Sequence, residues 1–75
     1  MRQEIFDMER DVLEIGDVVE ITESELPRAF YYTAEPAAAM SKNYKATERI
    51  LSTTGRIIAK KKIGTSYLVT IEFDE

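Results

Sequence analysis

A small, mainly β barrel is the fold class predicted by this sequence, and three observations predict it. The chain has 75 residues, the size of a single domain. Its last segment, TSYLVTIEFDE, sets Tyr67, Val69, Ile71 and Phe73 against Leu68, Thr70 and Glu72, which is the period of a half-buried strand. Short apolar runs of similar kind recur upstream, punctuated by Gly, Pro and polar residues. About five strands are expected, with one long connection carrying a short helix. Residues 13–75 form the predicted barrel domain, and residues 1–12 a separate N-terminal segment.

That first segment, MRQEIFDMERDV, places Ile5, Met8 and Val12 at helical spacing, so it is read as a short amphipathic helix or a partly disordered tail. Next, Leu13, Ile15, Val19 and Ile21 share one parity while Glu14, Glu20 and Thr22 take the other. This predicts a strand, bent at Gly16-Asp17. Pro27 interrupts the chain before the aromatic run AFYYT (residues 29–33), which suits a short strand. In EPAAAMSKN (residues 35–43), Pro36 and the alanines that follow predict one or two helical turns, with Asn43 as a stop. Strand signals return from Thr47, where Arg49 and Leu51 alternate with Ile50. Gly55 marks a bulge or a barrel corner. The segments GRIIAKKK and TSYLVTIEFDE then read as a hairpin, with Gly64 at a turn position of positive φ.

Two of these pieces carry a family resemblance. Gly16-Asp17-Val18-Val19-Glu20-Ile21 resembles the opening GDxVxI strand of SH3-like barrels, KOW-type modules in particular. Thr54-Gly55-Arg56-Ile57-Ile58-Ala59 resembles their later GxV strand, with YLVTIEF as the closing one. The resemblance implies an SH3-like barrel and, through the KOW pattern, association with nucleic acid or the ribosome. In a KOW module the two pieces lie close together in sequence. Here residues 22–54 separate them, an insertion that holds the aromatic strand and the Ala-rich segment.

Composition narrows the chemistry. The chain has no Cys and no His, which rules out disulfides, zinc sites of the Cys/His type, and Ser–His or Cys–His nucleophilic pairs. Gly16, Gly55 and Gly64 are too scattered to cradle a phosphate. Glu23 with Glu25, and Glu72 with Asp74, have the two-residue spacing that puts carboxylates on one strand face, but solvated faces of this kind are common. No enzymatic activity, cofactor or metal is predicted. No apolar run is long enough to span a bilayer or to act as a signal peptide, and the lack of Cys fits a reducing compartment, so a cytoplasmic location without membrane attachment is expected.

The net charge of −4 is unevenly spread: residues 1–25 hold nine acids against two bases, and residues 26–65 hold eight bases against two acids. Two candidate surfaces follow. Phe30, Tyr31, Tyr32 and Tyr44 form an aromatic group beside the long connection, suited to a protein partner or to core packing. Arg56, Lys60, Lys61 and Lys62 lead into the last hairpin turn, where Lys42, Lys45 and Arg49 are placed to join them if the fold allows. They suit contact with phosphates or, more plainly, keep an edge strand soluble. The functional expectation is a small binding module or accessory subunit acting through protein–protein interaction, with a nucleic-acid or ribosome-associated module as the alternative. The acidic first segment docking on the basic middle of a second copy would make a homodimer.

Overall fold

The inward line of the last strand organises the molecule. In the computed structural model, which describes residues 1–75, Val69, Ile71 and Phe73 of that strand are fully buried and Tyr67 packs against them at one end. Six strands surround this line: β1 (Arg2–Met8), β2 (Val18–Leu26), β3 (Ala29–Ala34), β4 (Ala39–Ser41), β5 (Thr54–Ile63) and β6 (Ser66–Phe73). All neighbours are antiparallel, and they close into a barrel in the order β1-β4-β3-β2-β5-β6. The succession β2-β3-β4 with β1 returning beside β4 is a Greek key. Closure removes most free sheet edges, the usual weakness of a small β protein.

The structure corrects the sequence reading in three places. Residues 2–8 are a strand, not a helix or a frayed tail: β1 pairs with β6 from Arg2↔Phe73 to Met8↔Tyr67 and with β4 at Phe6↔Ser41. Its inward line is Arg2, Glu4, Phe6 and Met8, so half of the core-facing positions are charged and the alternation is masked. Deleting residues 1–12 would therefore remove a barrel stave. Residues 35–38 form a tight turn between β3 and β4 rather than helical turns, with Ala37 at φ +61°. Ala39 is then drawn into a strand because its partners across the sheet supply hydrogen bonds and burial that helix propensity cannot outweigh. Finally, residues 47–53 are not a strand. A single 3-10 turn, Ala46–Glu48, leads into an irregular stretch, although Ile50 is buried between exposed Arg49 and Leu51 as the alternation requires.

Both barrel ends are closed by connections. At one end the β1–β2 loop inserts Leu13 into the core, and its return through Gly16 (φ +98°) is fixed by the Gly16 amide donating to the Ile57 carbonyl (2.7 Å). At the other end the β4–β5 connection inserts Tyr44 and Ile50. Gly55 lies in β5 under Ile71 and Phe73, where there is no space for a side chain. The one-residue irregularity falls at Ile58, between the pairs Ile57↔Ile71 and Ala59↔Thr70. No helix is long and apolar enough to cross a membrane.

Candidate functional site

The aromatic group divides between interior and surface. Strand β3 turns Tyr32 inward (1% exposed), and Phe30 exchanges backbone hydrogen bonds with Tyr44 (2.9 and 2.7 Å), which draws Tyr44 in beside it. The two tyrosine rings meet edge-on at 5.8 Å. The Tyr32 hydroxyl donates to Glu23 Oε2 (2.7 Å) and accepts from the Ile50 amide (2.9 Å), while the Tyr44 hydroxyl donates to Glu4 Oε1 (3.0 Å). Burial, reinforced by these carboxylates, raises the pKa of both phenols, so they are locked as neutral donors. Phe30 is half-buried under the Arg49 guanidinium, 4.5 Å from its ring centre, and Tyr31 is half-buried on the opposite parity, paired with Ser24. Only Tyr31 and the edge of Phe30 therefore remain on the surface; Tyr32 and Tyr44 are core.

Around these rings the polar groups act as straps. Arg49 binds Glu23 through two nitrogens (2.6 and 2.9 Å), and this, with the Tyr32 hydroxyl, holds the Glu23 carboxyl below its ordinary pKa. Glu75 accepts from the Ser52 hydroxyl and amide (2.8 Å each) and from the Leu51 amide, and it meets Arg2 at 3.1 Å. Burial opposes ionisation of Glu75, but these donors outweigh it and its pKa is lowered. Glu23 is thus committed to Arg49 and Tyr32, leaving no paired carboxylate site with Glu25. No group of three or more acidic side chains is arranged to hold a metal ion.

The basic cluster is also divided. The irregularity at Ile58 resets the parity of β5, so Lys60 falls opposite Val69 on the inward line while Lys61 faces outward opposite Leu68. The Lys60 stem crosses the barrel end, only 18% exposed, and its ammonium binds Asp11 (2.7 Å) and Glu14 (2.9 Å). It staples the loop that carries Leu13. Asp11 first, then Glu14, raises the Lys60 pKa. Arg56 and Lys61 are exposed on the outer face, and Lys62 is exposed beyond the barrel end; none of the three takes part in the ion pairs of the chain. Lys42 lies over the Tyr44 ring at 5.2 Å, apart from this hairpin.

A third feature escaped the sequence reading. Past Asp7 the β1–β2 loop diverges from the β3–β4 turn and leaves a crevice of about 610 Å³ between Val12, Leu13, Pro36, Ala38 and Met40, with Asp7, Glu9 and Arg10 also lining it. Val12 and Met40 are 55% and 49% exposed. The run Pro36–Met40 signals helix by propensity; here its short side chains instead create space. A smaller cavity of about 190 Å³ lies under Arg49 and Ile50 at the opposite end.

Compared with protein-family models, curated proteins and solved structures, the chain matches none of them.

Proposed function

We propose that this chain is a non-catalytic binding module that seats an apolar segment of a protein partner in the crevice between residues 9–13 and 35–38. The observation that carries this reading is the crevice itself. Its volume of about 610 Å³ falls among ordinary ligand pockets, and two large apolar side chains, Val12 and Met40, stand at it half in water. Most of the other polar side chains with unusual environments are spent on holding loops to the barrel. The resemblance of residues 16–21 and 54–59 to strands of SH3-like barrels favours a binding role in general, without bearing on which surface binds.

The test is substitution at the rim. Val12→Asp changes an exposed loop position, and Met40→Asp an exposed strand position opposite Asp7; they are expected to cost less than about 0.5 and up to about 1 kcal/mol respectively, leaving the barrel folded. Each is expected to abolish recovery of the partner captured by the unaltered, tagged protein from its native cells. Partner recovery unchanged in both variants would refute the crevice as the site.

A second reading rests on Arg56, Lys61 and Lys62, the cations of the last hairpin that stay exposed and outside the ion pairs. They suit contact with a nucleic-acid backbone, with about two or three phosphates and a correspondingly shallow salt dependence. Charge reversal at Arg56 and Lys61 that left oligonucleotide affinity unchanged would exclude it.

A further inference from the structure

The barrel is joined unevenly. Strands β5 and β6 pair along almost their whole length, but β2 meets β5 at only three positions, Val18↔Arg56, Val19↔Gly55 and Glu20↔Thr54. Beyond them, the loop ahead of β2 contributes the Gly16 and Asp17 bonds to Ile57 and then turns away over the barrel end. From Ile58 to Ile63, no backbone bond outside the β5–β6 ladder reaches β5. This half-strand is a free sheet edge.

Its chemistry is specific. The hairpin closes on Ile63↔Ser66 through the two-residue turn Gly64-Thr65, with Gly64 at φ +60°. Closing pairs of this kind exchange hydrogen bonds, so alternation directs the backbone N–H and C=O of Lys60 and Lys62 away from β6, toward the open side. Lys61 and Lys62 are exposed and make no ion pair, and Ile63 is half exposed at the tip. Pairing with the same edge of a second copy would set lysine against lysine, which is unfavourable. A strand with carboxylates opposite Lys61 and Lys62 gains from both cations while its backbone completes the ladder. From the open edge and this charge complementarity we infer that residues 58–63 of β5 receive an extended, acidic peptide segment by strand addition. This edge is separate from the crevice, and the two sites stand or fall independently.

The probe is a short synthetic peptide of valines around two adjacent glutamates, which place one carboxylate on each sheet face against Lys61 and Lys62, with a version carrying lysine for glutamate as control. Titrated into isotopically labelled protein, the acidic peptide is expected to shift the amides of residues 58–63 saturably and to slow hydrogen exchange at Lys60 and Lys62. Binding weakens as salt is raised, and the lysine peptide does not bind. The double variant Lys61→Glu, Lys62→Glu is expected to bind about tenfold more weakly. Lys62→Pro removes a donor from the open side without touching the β6 ladder and is expected to abolish binding. Met40→Asp is expected to leave peptide binding unchanged. Equal binding of the two peptides, shifts centred on the crevice, self-association of the protein at this edge, or undiminished binding by both edge variants would overturn the inference. So would an unchanged exchange rate at Lys60 and Lys62.

Discussion

A methyl group on Gly55 would lie 2.5 Å from Ile71 Cγ2 and 2.7 Å from Phe73 Cε1, both fully buried, so neither neighbour can yield into solvent. Gly55→Ala is therefore expected to cost about 1–3 kcal/mol, read as a lower urea midpoint. Tyr32 makes a different kind of demand. Its hydroxyl satisfies the amide of Ile50, which is itself buried, and anchors Glu23. Tyr32→Phe keeps the ring but orphans that amide, and a loss of about 1–3 kcal/mol is expected in the same measurement. Neither requirement can be read from the residue alone. The sequence suggested a bulge or corner at Gly55, whereas the glycine is needed because two core side chains cross its backbone.

Among the elements, the β4–β5 connection is held most heavily by charge. Arg49 to Glu23, and Glu75 to Ser52, Leu51 and Arg2, strap it over the barrel end. The carboxyls of Glu23 and Glu75 have lowered folded-state pKa values, so their contribution is complete above the ordinary value of 4.5 and is lost as pH falls through the folded values. Acidification from about pH 6 to about pH 3 is expected to lower the melting temperature and to speed amide exchange in residues 44–52 before it affects β5 and β6. Retained protection of those amides at the lower pH would show that packing of Tyr44 and Ile50 alone holds the strap. The same elements mark how far the fold was legible in the sequence. Strands β2, β3, β5 and β6 announced themselves by alternation or β-branched and aromatic content. Strand β1 did not, because Arg2 and Glu4 occupy inward positions at the barrel end, and β4 did not, because Ala39–Ser41 is too short and too helix-prone to show a period. The candidate surfaces were legible as residue types but not as surfaces. Burial of Tyr32 and Tyr44 depends on the Phe30–Tyr44 bridge, and the division of the lysines depends on a one-residue irregularity at Ile58. The crevice had no sequence signal beyond a run of small side chains.

At the scale of the whole molecule, the order β1-β4-β3-β2-β5-β6 makes the first and last strands partners. Arg2 stands opposite Phe73, and the Arg2 guanidinium reaches Glu75 at 3.1 Å. The contact most remote in sequence is therefore among the nearest in space. A short linker from Glu75 to Met1 would turn the β6–β1 pair into an ordinary hairpin, and the ring could be reopened in the exposed Pro27-Arg28 turn between β2 and β3. Such a circular permutant is expected to keep the native amide spectrum. The permutation moves the long-range closure from the β6–β1 pair to the β2–β3 pair, which becomes first and last, so the permutant is expected to refold at about the parent's rate in stopped-flow experiments. The Arg2–Glu75 contact thus makes the order in which the strands are threaded a choice, while the barrel they build stays the same.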